Sequence, residues 1–168
     1  MLFFSSLLGE RTVLIGHPGW SDGRAGIGSA TTVRMNDSLL IADLRLEGQE
    51  LFDRMAALGD ASARYIEDIA PLAVRHADRI VVGTHVPPFP EASRYARAPG
   101  EPSHLPHFCN VALGEALLRI ARAWPKKEFL VLCGHTHERC QWRAADNLVV
   151  KVAGAEYGQP AIEEILEF

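Results

Sequence analysis

The sequence is short of positive charge. Its 17 lysines and arginines stand against 21 aspartates and glutamates, a formal net charge of -4, and no basic stripe runs along the chain. Proteins that track nucleic acid or cling to anionic lipid need such a stripe, so neither partner is expected. Cysteine is scarce as well: Cys109, Cys133 and Cys140 are an odd number without framework spacing. That pattern argues against a disulfide-built secreted scaffold and suits a reducing compartment, so a cytoplasmic location is expected. Long apolar runs are also missing. The opening "MLFFSSLLGE" has no basic leader and meets Glu10 too soon to span a bilayer, so it is read as structural, with neither a signal segment nor a membrane association. No repeat or low-complexity tract is present.

What is there suits one domain spanning 1–168, since 48% of the residues are hydrophobic and the length can bury a sizeable core. "RTVLIG" (11–16) reads as a strand feeding the glycine-rich loop "HPGWSDGRAGIG". From about Glu47 to Ala77 apolar residues recur at three or four, which predicts one interrupted helix or two, with Gly59-Asp60 as the break. "DRIVVGTH" (78–85) and "EFLVLCGHTH" (128–137) are continuous apolar runs of the buried-strand type. Between them lie a loop with six prolines, at 87, 88, 90, 99, 102 and 106, of the kind that often serves as a lid, and a helical stretch from Phe108 to Trp124. Strand, helix and strand in that order predict a βαβ unit with parallel neighbours. "NLVVKVAGA" and "PAIEEILEF" read as two closing strands.

Both buried strands end in histidine, the first in His85, the second in His135 and His137. Ligands of open α/β sheets bind at the carboxyl ends of strands, so three imidazoles are expected on one rim. Residues two apart share a face in extended backbone, which aims His135 and His137 together. Imidazole is a common ligand for zinc, manganese and iron, and this clustering outweighs the bland reading of satisfied polar residues at strand ends. Gly83 and Gly134 are expected where the strands turn sharply. Arg24 and Asp22 either clamp a phosphate or simply form a turn with a surface ion pair. His104 and His107 read as exposed loop histidines, and Cys133 as packing.

"GTHVPP" followed by "LCGHTH" resembles the last two motifs of the calcineurin-like metallophosphoesterases. The "GWSDGRAG" loop and the "AGAEYGQP" tail are similar to that family too, so the likeness covers most of the chain. The resemblance implies an α/β chain holding part of a β-sandwich flanked by helices, truncated at the N-terminus. It implies divalent metals (manganese, iron or zinc), two in a complete site and one or none here. His85 and His135 would ligate one metal and His137 the other. The family's upstream blocks, an aspartate-x-histidine, a glycine-aspartate and a glycine-asparagine-histidine, have no counterpart before Arg11; Gly59-Asp60 imitates the second in letters only. His17 lacks the asparagine and is a weak candidate for proton donor.

The function expected from the resemblance is hydrolysis of a phosphate mono- or diester, on a phosphorylated small molecule or other phosphoester, by metal-activated water. Without the carboxylates that hold two ions together, activity of this chain alone is expected to be impaired. Two alternatives stand beside it: a non-catalytic metal-binding or protein-interaction remnant of the fold, and a hydrolase with a single metal. A sheet lacking half its strands is expected to pair with a second copy or a complementing N-terminal segment.

Overall fold

Continuous apolar runs become the middle of one sheet, with one face closed by helices and the other only half-buried. The computed structural model describes residues 4–8, 11–95 and 98–167. In chain order the elements are β1 (Phe4–Leu7), β2 (Thr12–Gly16), α1 (Asp37–Leu40), α2 (Gly48–His76), β3 (Arg79–Gly83), β4 (Arg94–Tyr95), β5 (Ala98–Pro99), α3 (Leu105–Phe108), α4 (Val111–Ala123), β6 (Glu128–Cys133), β7 (Cys140–Ala145) and β8 (Leu148–Val152). Six strands form one sheet in the order β1-β2-β3-β6-β8-β7, with β2, β3, β6 and β8 parallel and both edge strands antiparallel. β4 and β5 make a separate two-stranded ladder inside the proline-rich loop. The α/β class with helices against a sheet is as the sequence implies; of the sandwich, the described residues form one layer. Among them no helix is long and apolar enough to cross a membrane.

Alternation along the strands separates two faces. Ile15, Ile80, Val82, Phe129, Val131, Leu148 and Val150 point into the core shared with α2 and α4. Each such side chain contributes about 1.5–3 kcal/mol relative to exposure. The opposite face carries the in-register row Leu14, Val81, Leu130 and Val149, of which only Val81 is fully buried.

The helix expected to break at Gly59-Asp60 does not break. α2 runs unbroken for 29 residues, burying Met55, Gly59, Ser62, Ala63, Ile66, Ala70, Ala73 and Val74, a stripe at three- and four-residue steps. Gly59 is a point of close approach instead: a Cβ there would lie 2.4 Å from the Cβ of Asp22 and 3.1 Å from Oδ1 of Asn110. α2 packs along α4, where Ala116 and Ala121 are buried, while Gly114 lies against the proline-rich loop, its missing Cβ leaving room for the Pro88 carbonyl.

This close packing encloses a satisfied polar junction at the start of α4. Asn110 caps the helix by accepting the Leu113 N–H (3.0 Å), and its amide donates to Ser62 Oγ (2.8 Å), which donates to the Gly59 carbonyl (2.7 Å). Asp22, with no exposed surface, accepts the Ala112 N–H at 2.8 Å. The glycine-rich loop and the proline-rich loop are both pinned here, through Asp22 N–H to the Cys109 carbonyl and Asn110 N–H to the Pro87 carbonyl. The described part of the proline-rich loop is accordingly packed down, with Val86, Phe89 and Ala92 buried, and is not an open lid.

Of the two expected closing strands the first is β8 and the second is not a strand. Residues 160–167 are irregular and mostly exposed, held by ion pairs from Glu163 to Arg139 and from Glu164 to Lys151. The edge of β8 that such a strand would need is taken by β7, which "CQWRAA" did not advertise. The Asp146-Asn147 hairpin turn was the available signal.

Candidate metal centre

The ladder between β3 and β6 continues one step past both strands and sets up the site. Thr84 N–H donates to the Leu132 carbonyl (3.0 Å), and Gly134 N–H donates to the His85 carbonyl (2.9 Å). Residue 135 therefore departs beside residue 85. Nε2 of His85 lies 3.0 Å from Nδ1 of His135, with ring centroids 4.8 Å apart. The two strand-end motifs do meet.

The glycines do not supply the sharp turn expected of them. Neither Gly83 nor Gly134 has positive φ; the left-handed conformation falls on His135 (φ 69°) and His137 (φ 60°). A residue with a Cβ takes that conformation at a cost of roughly 1–2 kcal/mol, and such strain collects where side chains must be aimed. The expectation that extended backbone points His135 and His137 at one place is thereby corrected. His135 turns to His85, while the His137 ring packs on Tyr157 at 4.6 Å. Among the described residues no group of three His, Cys, Asp or Glu side chains is arranged to hold a metal ion.

Aromatic rings wall the pair. Trp20 stacks on His85, 5.4 Å between centroids and 12° between planes, and presents itself at 66° to His135. Phe108 meets His135 edge-on at 5.4 Å. Nε2 of His135 lies 3.0 Å from the carbonyl oxygen of His107. A carbonyl only accepts, so His135 carries its proton on Nε2 and offers the Nδ1 lone pair toward His85. His107 itself is buried against the expectation of an exposed loop histidine, its Nε2 3.1 Å from the Val33 carbonyl.

Burial pushes His135 down to about 4, with the neighbouring His85 charge adding to it and the His107 carbonyl and Asp37 opposing. His85 is lowered by desolvation too, although one side of it meets solvent, with Asp37 opposing and His137 adding. Burial also lowers His107 and His17. Both members of the pair are thus neutral at pH 7, the state in which imidazole binds metal. Stability carries the same signature. Between pH 6.5 and about 4 the unfolded chain takes up a proton that His135 refuses in the fold, so its contribution to stability is full above 6.5 and lost as pH falls, and the lowered His85, His107 and His17 act in the same direction. A thermal melt series should show that acid limb, and His135→Asn should flatten it.

His17 is buried, accepts the Gly19 N–H on Nδ1 (3.0 Å) and faces Tyr65 at 5.6 Å. Asp22 accepts from the Arg24 backbone N–H at 3.1 Å and from its guanidinium at 3.2 Å, and Arg24 also pairs with Asp60 at 2.7 Å. The structure thus brings His85 and His135 together, sets His17 on the same cavity wall, and engages Arg24 and Asp22 with each other. Trp20, Phe108 and Asp37 were not singled out from sequence, and His107 was singled out only as an exposed loop histidine. "GW" in the glycine-rich loop was the one legible sign, since a tryptophan in such a loop needs something to cover.

Cys133 is a core residue, its thiol pushed up to about 12 by burial, and Cys140 is buried beside it in the same core.

Whether the pair fits a metal is a matter of distance. Zinc–imidazole bonds are about 2.0–2.1 Å, so two nitrogens 3.0 Å apart reach one ion at an angle of roughly 90–95°. His135 would offer Nδ1 and His85 Nε2, the proton between them passing to the other ring nitrogen of His85 so that both rings stay neutral. The pair fits two ligands of a single ion. A centre for two ions is not formed by the described residues.

Comparison with known proteins finds no matching family model and no matching curated protein. A solved structure, a dimetal phosphatase from Danio rerio, is similar to this chain at 13% sequence identity and a TM-score of 0.48, over 90% of this chain and 48% of that one. The chain thus spans about half the length of that structure. At that similarity the match says nothing about chemistry.

Proposed function

We propose that the chain carries part of a metal-dependent phosphoesterase centre, with His85 and His135 as the residues that hold a divalent ion. The observation that supports this most is the 3.0 Å approach of two neutral imidazoles from the "GTHVPP" and "GHTH" motifs at the carboxyl rim of parallel strands. A bound ion supplies Lewis acidity toward a phosphoryl oxygen. The chain's own groups do the rest. The His107 carbonyl fixes the tautomer of His135, as outer partners of metal-bound histidine do. Trp20 stacks on one face of His85, and Trp20 and Phe108 together flank His135. His17 is only a weak candidate for proton donor in this reading, because burial keeps its ring neutral and encloses its Nε2. Arg24 and Asp22 belong in this reading to the loop–helix junction.

One observation favours the second reading, a metal-binding remnant without catalysis: no third ligand joins the pair among the described residues. Loading the purified chain with manganese or zinc, counting bound ions and assaying hydrolysis of phenyl phosphate separates the two. One ion per chain with hydrolysis abolished by chelator is the expected result. One ion without hydrolysis favours the remnant, and no ion at all overturns both.

A further inference from the structure

Beside the histidine pair the described residues leave a cavity of about 800 Å³, open to solvent, whose wall includes His17 and His85. Its other principal lining is Leu14, Pro18, Trp20 and Gly83, and no charged side chain lines it among the described residues. We propose that this cavity is the subsite for the uncharged aromatic alcohol half of a phosphoester whose phosphoryl group sits at the histidine pair. The proposal rests on the phosphoesterase reading and narrows its substrate class to aryl and arylalkyl phosphates.

Three observations carry it. The cavity is continuous with the candidate centre, since His85 belongs to both. Its lining matches the composition of small-molecule sites, apolar with a few polar groups at one end, and its size lies within their usual range of roughly 300–1,000 Å³. A polyol or a second phosphate finds no charged partner on this lining among the described residues. The floor is also bare by sequence. Gly16 and Gly83 are register partners on neighbouring strands, and a Cβ on Gly83 would meet nothing closer than Leu14 Cδ1 at 3.9 Å. A Cβ there fits the fold and would narrow the cavity, so its absence leaves room for a flat ring near the tryptophan that already stacks on His85.

Gly83→Val tests this. Phenol and glycerol serve as binding probes, read by ligand-observed NMR on the metal-free chain; phenyl phosphate and glycerol phosphate serve as substrates with manganese. The expected result is saturable phenol binding, none for glycerol, and phenol binding lost in Gly83→Val. The phenyl-to-glycerol ratio of kcat/KM should fall roughly ten-fold in the variant, the effect of excluding one buried ring. Because intrinsic ester lability is the same for both proteins, the change in ratio isolates the subsite. Phenol binding without hydrolysis of either ester keeps the subsite and overturns the phosphoesterase reading. Hydrolysis of both esters at an unchanged ratio, with no phenol binding, overturns the subsite and keeps the reading. A chain that sediments as a dimer and binds no phenol means that a second copy fills the cavity, which also overturns it.

Discussion

Gly59→Val should lower the melting temperature by roughly 12 °C, the expectation for about 4 kcal/mol lost from a chain of this length. Overpacking a closed core costs about 1–3 kcal/mol, and breaking a buried charge that depends on its partners costs about 3–5. Gly59 engages both effects. A Cβ at 2.4 Å from Asp22 Cβ and 3.1 Å from Asn110 Oδ1 has no room, and neither neighbour can yield cheaply. Asp22 is held by Ala112 N–H and the Arg24 guanidinium, Asn110 by Leu113 N–H and Ser62, and all of Asp22, Asn110 and Ser62 are fully buried. Pushing α2 away would part it from α4 along its whole small-residue stripe. Gly134→Ala is the control, because a Cβ there meets nothing within 4 Å, and its melt should stay within about 2 °C of wild type. Circular dichroism melts decide the matter: a Gly59→Val protein melting within 3 °C of wild type would show that the junction is loose.

The error over Gly59 shows what sequence withholds. A glycine in a helical period has two physical meanings, a break or a close approach, and only the neighbour across the interface tells them apart. That neighbour, Asp22, is 37 positions away and was legible only as a phosphate-clamp or turn residue of a glycine-rich loop, not as a packing partner of α2. The parallel strands were readable because Ile80–Val82 and Phe129–Leu132 are apolar without alternation, although only β3 is buried on both faces and β6 keeps one face half-exposed. The pairing of His85 with His135 was readable for the same reason, since neighbouring parallel strands must end on one rim. How the second strand turns was not. The left-handed φ of His135 and His137 overrides the period of two, and it is imposed by the tight Gly134–Thr136 turn, where the Thr136 N–H reaches back to the Gly134 carbonyl at 2.8 Å. His107 escaped because its burial depends on the backbone of Val33, brought over by a loop with no periodic signal. Asp37 escaped for a related reason: it acts on three imidazoles through space alone, and composition carries no trace of that.

The orientation of the histidines leads to the largest functional effect. His135→Ala should weaken divalent-ion binding at least 100-fold and abolish any hydrolysis that depends on it, whereas His137→Ala should change ion affinity less than about five-fold. Losing the outer partner of a metal-bound histidine already costs 10–100-fold, and His135 is placed to bind directly. Its Nδ1 faces His85 Nε2 at 3.0 Å, and its other nitrogen is anchored on the His107 carbonyl, so no neighbouring donor can swing in to replace it. His137 instead spends its ring on Tyr157, outside the pair. Equal losses in the two variants, measured by zinc titration calorimetry, would restore the shared three-histidine grip and sink the two-nitrogen site. His135→Gly guards against a trivial reading in which alanine merely unfolds the loop. Glycine tolerates φ 69° without the roughly 1–2 kcal/mol strain that any Cβ incurs there, so it should melt higher than the alanine variant while binding the ion no better. A glycine variant that regained affinity together with stability would show that strain, and not ligation, is the reason the chain keeps a histidine at that turn.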